Sequence, residues 1–405
     1  MPTFEGGNLR PFVFALVLLS VLNTNAKKLT ETYDEVDEKA RKTKVAKVIK
    51  IKEPEKTEDK SGFIIIPMIY YTPETSLAFG GSFMYYYRLK NQTLKNRPSY
   101  FETHVIYTLN NQIIGVANAE NYFLKERLHL TERLEVTKYP DVFYGIGNDN
   151  PEGLKEDFTS FYTLLDLNAE FATFDRLLVG MTYNLSYFKM YDKEDFIRSE
   201  NRFGELMEIP ARLSNGSIPG SDGGLYSGLG IFLRYDSRDK FTYPSNGNFS
   251  TFKILGYHKY FGSDADFLKL DLDFRHYVEL FSDVILAVQF KMEFNFGDVP
   301  FTLMPEVGGA EMLRGYPEGR YRDRNALFVQ TELRLPLYWR FGWVVFFSLG
   351  DVFNDPDELR ADLLKYSAGI GLRFTVDKQE RINVRADFGI TPEGGNIYFF
   401  MLEAF

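Results

Sequence analysis

The chain has 405 residues, a mean hydropathy of −0.25 and a formal net charge of −9 at pH 7. This acidic balance argues against a general nucleic-acid binder, which would carry a basic surface, and the absence of cysteine excludes disulfides, thiolate metal sites and cysteine nucleophiles. With 38 Phe and 26 Tyr against 2 Trp, the composition favours strands, because aromatic side chains suit pleated surfaces.

Residues 1–26 have the features of an export signal. Arg10 supplies positive charge, Pro11 to Leu22 form an apolar run, and small and polar residues ending at Ala26 suit cleavage. The run is short for a transmembrane helix, which needs ~20 residues, although a retained anchor is the alternative. Residues 27–60 then carry 11 Lys or Arg and 9 Asp or Glu, which predicts a charged periplasmic linker, disordered or marginally helical.

Residues 61–405 consist of short segments in which apolar and polar residues alternate. Between residues 283 and 296, for example, apolar side chains from Val284 to Phe296 face one way, and Gln289, Lys291 and Glu293 face the other. A period of two predicts strands. Charges at mid-strand and long apolar stripes favour a transmembrane barrel around a wet lumen over a soluble sandwich.

The alternation predicts an all-β fold, a 16-stranded antiparallel transmembrane β-barrel. The connectors after strands 5, 7, 11 and 13 are long, whereas those after strands 6, 10, 12 and 14 are tight. Outer-membrane barrels have long outer loops and short periplasmic turns, so both ends of the barrel are expected in the periplasm. The predicted strands are, in chain order, 63–71, 76–88, 99–109, 112–123, 126–137, 160–174, 176–190, 224–236, 247–260, 266–280, 283–296, 325–336, 341–351, 365–375, 380–390 and 396–405.

The connector after the eleventh strand carries Leu313-Arg314-Gly315-Tyr316. This segment resembles the arginine-glycine-aromatic motif in the sixth extracellular loop of the BamA/TamA outer-membrane assembly and transport superfamily, which includes the bacterial surface antigen barrels. The strand count and the position of the motif agree with that resemblance.

Two other segments resemble the same family. Tyr235-Asp236-Ser237-Arg238-Asp239, followed by Tyr243-Pro244-Ser245-Asn246-Gly247, looks like the family's turn between strands 8 and 9. The chain ends on Phe405, as do strands that carry the C-terminal assembly signal, although Glu403 interrupts the apolar alternation there. The segments Tyr71 to Thr75, Tyr139-Pro140 and Tyr144 to Asn148 are similar to the branch that lacks periplasmic POTRA modules.

The resemblance implies that Arg314 reaches into the lumen and pairs with acids on the barrel wall. Glu332 fits, because the strand alternation points it inward. The family's second acid, on strand 13, is missing: Ser348 takes that position, and Asp351 nearby has the opposite register. Whether either replaces the second acid stays open, as does the simpler reading in which Arg314 only packs the loop.

The first and last strands must pair to close the barrel, and Pro67 and Phe405 mark this seam. Pro67 cannot donate a ladder hydrogen bond, so we expect the seam to be the weakest junction, unless the missing donor faces strand 2 or a bulge absorbs it. The chain shows no catalytic constellation, which predicts that the protein is not an enzyme, and no cofactor or metal is expected.

The expected function is insertion of outer-membrane proteins, or export of polypeptides or lipids, through this lateral seam. A passive outer-membrane channel and a structural surface-antigen barrel are the alternatives. The expected location is the outer membrane of a Gram-negative bacterium. Expected partners are outer-membrane lipids and lipopolysaccharide, client outer-membrane proteins and periplasmic accessory proteins, but no nucleic acid.

Overall fold

The computed structural model describes residues 61–89, 97–151, 154–174, 176–200, 206–378 and 381–405. The predicted signal peptide and charged linker lie outside these ranges. Within them, twenty strands form, and sixteen of these close into one antiparallel barrel. The predicted fold class and strand number are therefore confirmed.

The barrel strands follow one another around the wall in chain order. Among the described residues, two short strand pairs that belong to loops interrupt this order. The barrel strands are β1 (Gly62–Thr72), β2 (Ser76–Tyr87), β3 (Ser99–Thr108), β4 (Ile113–Phe123), β5 (Leu128–Phe143), β6 (Glu156–Phe174), β7 (Leu177–Tyr191), β10 (Gly223–Asp236), β11 (Gly247–Tyr257), β12 (Phe267–Phe281), β13 (Val284–Gly297), β16 (Asn325–Tyr338), β17 (Phe341–Phe353), β18 (Lys365–Asp377), β19 (Ile382–Thr391) and β20 (Gly394–Met401).

Two paired segments lie in connectors that the sequence predicts only as loops. The hairpin of β8 (Phe196–Glu200) and β9 (Leu206–Pro210) extends from the connector between β7 and β10. The two-residue strands β14 (Glu306–Val307) and β15 (Tyr321–Arg322) pair within the connector between β13 and β16. These strands are too short to show an alternation that could be recognised in the sequence.

The two ends of the barrel differ in the length of their connectors. The described residues of the connectors 144–155, 192–222, 298–324 and 354–364 lie at one end, here called the loop end. At the other, the turn end, residues 282–283 and 339–340 suffice to join successive strands. This is the asymmetry of outer loops and periplasmic turns that the sequence predicts.

The wall has an apolar outer face and a polar inner face. On β13, Phe296 is 54% exposed, whereas Gln289 and Asn295 are buried and face the lumen. The lumen is partly filled near the loop end, where Phe301 is fully buried among aromatic side chains of the wall. Among the described residues, no helix is long and apolar enough to cross a membrane.

Candidate functional site

Loop six (residues 298–324) folds back into the lumen instead of leaving the barrel. Its two arms are joined by the pairing of β14 with β15. Beyond this pairing the chain turns tightly, with Gly309 N–H donating to the carbonyl of Tyr316 at 3.0 Å. Leu313 and Gly315 have positive φ values of 50° and 118°. The turn therefore directs the Arg314 side chain towards the barrel wall.

Arg314 is fully buried and binds two carboxylates from different strands. Its guanidinium lies 2.7 Å from Oε1 of Glu332 on β16 and 2.7 Å from Oδ2 of Asp387 on β19. It also stacks on Phe346, with Cζ 3.6 Å from the ring centroid. A planar guanidinium with separate carboxylate partners and an aromatic face is well oriented, because each contact restricts a different direction.

The two acids bind further arginines, and the whole set is here called the lumen charge cluster. Arg334 Nε lies 3.0 Å from Glu332, and Arg385 NH1 lies 2.8 Å from Asp387. Arg373 pairs with Asp387 and, at 2.7 Å, with Glu403. Buried charges are tolerated only where they are paired and hydrogen-bonded, as they are here. The members are Arg314, Glu332, Arg334, Arg373, Arg385, Asp387 and Glu403.

The second acid that binds Arg314 is Asp387. The sequence motifs do not indicate this residue. Ser348 faces the lumen, but its hydroxyl makes no hydrogen bond in the described structure. Asp351 accepts hydrogen bonds from Asn148 of another loop, at 3.1 and 3.2 Å, and does not bind Arg314. The alternation does place Asp387 inward on its strand. What only the fold shows is that β19 lies opposite loop six.

Small residues allow loop six to approach the wall closely. A Cβ on Gly389 would lie 2.2 Å from the carbonyl oxygen of Arg314, so no larger residue fits there without displacing the motif. Asn396 Nδ2 donates to the carbonyl of Gly315 at 2.7 Å. The hydroxyl of Tyr398 accepts from Gly315 N–H at 3.0 Å and donates to the carbonyl of Tyr316 at 3.1 Å. The motif therefore contacts the last strand directly.

The second motif, at residues 235–247, forms the turn between β10 and β11. Arg238 donates to Asp236 at 2.8 and 3.0 Å. Asp239 accepts hydrogen bonds from the N–H groups of Ser245 and Asn246. Partial burial acts to raise the pKa of Asp239, but the hydrogen bonds outweigh burial and lower this pKa below its usual value. Gly247 has a φ of 109°, and a Cβ there would lie 2.3 Å from the Ser237 carbonyl.

This turn also reaches the lumen charge cluster. Tyr235 lies on β10, partly exposed, and Pro244 is buried in the turn. The ring of Tyr243 lies 5.3 Å from Cζ of Arg334, a cation–π distance. Burial raises the pKa of Tyr243 to about 12, so the phenol is neutral at physiological pH. Two motifs far apart in sequence thus meet at Arg334 and Glu332.

Phe405 does not lie in the seam, which corrects the prediction of a last strand over 396–405. The last strand ends at Met401, and residues 402–405, here called the tail, turn into the lumen. Phe405 is only 7% exposed and packs against Tyr277, and its main-chain oxygen accepts from Arg334 at 2.9 Å. Glu403 breaks the apolar alternation because it binds Arg373 inside the barrel.

The seam between β1 and β20 has little paired length. Among the described residues, Tyr71 of β1 pairs with Phe399 of β20, whereas β1 and β2 pair continuously along the whole of β1. If this register is extended, Ile69 faces Met401, the last residue of β20. Gly62–Met68, including Pro67, therefore extend past the end of β20. Pro67 pairs in register with Gly81 on β2, without a bulge.

A water-accessible cavity of about 670 Å³ remains in the lumen towards the loop end. Glu74, Asp141, Glu306 and Glu318 line it, together with Arg322, which pairs with Glu306. Withdrawal of Glu318 from bulk water, with the neighbouring carboxylates, raises the pKa of Glu318 well above its usual value. No group of three or more described His, Asp or Glu residues is arranged to hold a metal ion.

The fold and the inward-folded loop define an outer-membrane β-barrel with an internal loop held by buried charges. The sequence model of the Omp85 superfamily domain matches residues 97–398, about three quarters of the chain, and the protein belongs to this superfamily. The family predicted from the two motifs is therefore confirmed. Its place is the outer membrane of a Gram-negative bacterium.

Solved structures of the same fold share little sequence with the chain. BamA from Haemophilus ducreyi lacking POTRA domains 1–3 is 12% identical, with a TM-score of 0.56, over 84% of this chain and 70% of that one. CdiB from Escherichia coli is 11% identical, with a TM-score of 0.55, over 84% and 62% of the two chains. CdiB from Acinetobacter baumannii is 12% identical, with a TM-score of 0.51, over 84% of this chain and 59% of that one. Among curated protein sequences, none matches significantly.

Proposed function

We propose that the protein inserts outer-membrane proteins, or exports polypeptides or lipids, through the seam between β1 and β20. The observation that carries the proposal is the short pairing of this seam. The edge of β1 from Gly62 to Met68 extends past the end of β20, because the tail turns into the lumen. Every other junction of the barrel pairs over a longer stretch.

An exposed strand edge in lipid is a site for strand addition. Backbone N–H and C=O groups without partners cost several kcal/mol each in the hydrocarbon region. A strand of a client protein could satisfy these groups by pairing with β1, which is how extended segments add to a free sheet edge. The apolar side chains of Phe63 and Ile65, which are 68% and 69% exposed, would continue into the membrane face of the added strand.

The partners that fit this function are client outer-membrane proteins, periplasmic accessory proteins and the surrounding lipids and lipopolysaccharide. The apolar outer face supports contact with lipid. A transport role is also favoured over catalysis, because the buried charged side chains of the lumen charge cluster bind one another. The chain covers 59–70% of the length of the solved structures that it resembles.

A disulfide across the seam tests the proposal. Directly opposed residues of antiparallel strands have Cα atoms ~4.5–5.5 Å apart, which suits a disulfide. The chain has no cysteine, so Tyr71→Cys with Phe399→Cys creates the sole pair of thiols. Phe79→Cys with Tyr107→Cys, an opposed outward pair on β2 and β3, is the matched control.

We expect oxidation of the seam pair to stop client assembly in cells that depend on this protein, and reduction to restore it. The control pair should have no effect, because β2 and β3 need not separate. If the oxidised seam pair leaves client assembly unchanged, the proposal that clients pass through the seam between β1 and β20 is wrong. Ion conductance of the purified barrel would then favour a passive channel, and its absence would favour a structural role.

A further inference from the structure

Loop six contacts the barrel on both sides of the seam. On the last-strand side it binds Asn396 and Tyr398 through Gly315 and Tyr316, as described above. On the first-strand side, the N–H of Glu318 donates to Oε1 of Glu74 at 2.8 Å. Glu74 lies in the turn that joins β1 to β2. The contacts on the two sides of the seam lie close together in loop six, because only Tyr316 and Pro317 separate Gly315 from Glu318.

The contacts on the last-strand side are numerous and buried. Tyr398 is fully buried, and its hydroxyl both accepts and donates a hydrogen bond with loop six. Arg320 Nε lies 2.7 Å from Glu393, in the turn between β19 and β20, and Tyr321 also binds Glu393. Loop six is therefore attached to the last hairpin at several points, and also to the wall through Arg314.

On the first-strand side, loop six makes one hydrogen bond among the described residues. The Glu74 carboxylate is the one group of β1, β2 or their turn that is hydrogen-bonded to loop six in the described structure. Glu74 itself is held firmly, since its carbonyl accepts from Asn110 Nδ2 at 2.7 Å and from Gln112 Nε2 at 3.1 Å. The turn that carries Glu74 thus moves with β1 to β4.

We propose that loop six is an internal clasp across the seam, and that Glu74 is its releasable joint. The clasp connects the two edges in series: last hairpin, loop six, Glu74, first hairpin. Separation of β1 from β20 at the loop end must break the weakest connection of this series, which is the Glu318–Glu74 hydrogen bond. The inference rests on the proposed function, because it describes what regulates opening of the same seam.

The distance across the seam can be measured with spin labels in the full chain in lipid nanodiscs. Leu77→Cys on β2 and Phe388→Cys on β19 place labels on exposed outward positions. They lie three strand spacings apart, roughly 15 Å. The closed seam should give one narrow distance. We expect Glu74→Ala to raise the ratio of a second, longer distance to the short one by roughly tenfold, the scale of one hydrogen bond.

The series arrangement predicts how variants combine. Tyr398→Phe alone should change the ratio less than Glu74→Ala, because Asn396 and Glu393 still hold the loop. Added to Glu74→Ala, Tyr398→Phe should change nothing further, since the series is already broken. Tyr257→Phe is the matched control: it removes a buried hydroxyl that donates to Asn184 at 2.8 Å on another part of the wall.

An unchanged distance distribution in Glu74→Ala would overturn the clasp, as would an effect of Tyr257→Phe equal to that of Glu74→Ala. Additive effects of Glu74→Ala and Tyr398→Phe would also contradict it, because they would show two separate contacts. The measurement involves no client. The clasp can therefore be confirmed even if the disulfide experiment disproves assembly through the seam. Equally, the clasp can be disproved while the disulfide experiment supports assembly through the seam.

Discussion

Removal of the Arg314 side chain should detach loop six while leaving the barrel intact. Arg314→Ala deletes the contacts of 2.7 Å to Glu332 and to Asp387, along with the stacking on Phe346. Breaking one side of a buried ion pair costs about 3–5 kcal/mol where the partner is left alone. Here each acid keeps at least one other arginine, so we expect the lower part of that range, about 3 kcal/mol.

This loss should appear as local opening of loop six. A change of about 3 kcal/mol corresponds to roughly a hundredfold increase in the opening equilibrium. Hydrogen exchange of loop-six amides, followed by mass spectrometry in nanodiscs, measures that equilibrium directly. Amides of the barrel strands should keep their protection, because no strand hydrogen bond is removed.

Arg360→Ala is the matched control. Arg360 lies in another loop and pairs with Asp362 at 2.6 Å, but both side chains are 63% exposed. Exposed pairs contribute only about 0–1 kcal/mol, so this variant should change exchange little. If Arg314→Ala accelerates exchange of loop six no more than Arg360→Ala affects its own loop, the buried cluster does not hold loop six in place.

Two further predictions concern the same exchange measurement. The pKa of Glu318 is raised in the folded loop, so the stability of the loop falls as the pH rises from the unfolded pKa of ~4.3 to the raised pKa, whereas Glu318 has no such effect in acid. Glu318→Gln should therefore protect loop six more strongly at neutral and alkaline pH and leave it unchanged in acid; equal protection at every pH would contradict this. Gly389→Ala should lower the free energy of opening of loop six by about 1–3 kcal/mol, because the added Cβ overpacks the site. Gly256→Ala should leave it unchanged, since a Cβ there meets no atom nearer than 3.9 Å. Similar effects of the two variants would refute the steric argument.

The sequence was most informative about the wall of the barrel. Alternation has a period of two, and each transmembrane strand must separate lipid from a polar lumen, so the pattern is strong and local. The inward direction of Glu332 follows from its neighbours in the strand alone. Strand ends were less well predicted where the alternation ends before the strand does, as on β5 and β6.

The partners across the lumen were not predictable in the same way. Asp387 faces inward in the sequence pattern, as do many other polar residues. Its selection as the second partner of Arg314 depends on where loop six folds and on which strand lies opposite. The same is true of Tyr398 and Glu74, which no local pattern distinguishes from other residues of their kind.

The last strand shows the limit most clearly. Its aromatic residues predict a strand to Phe405, yet the strand ends at Met401, because Glu403 and Phe405 find partners in Arg373 and Arg334 inside the barrel. The sequence by itself therefore determined the class of fold, the number of strands and the face of each side chain, which depend on neighbours along the chain. Only the tertiary structure decided the contacts of loop six, the tail and the seam, because these depend on long-range closure of the wall.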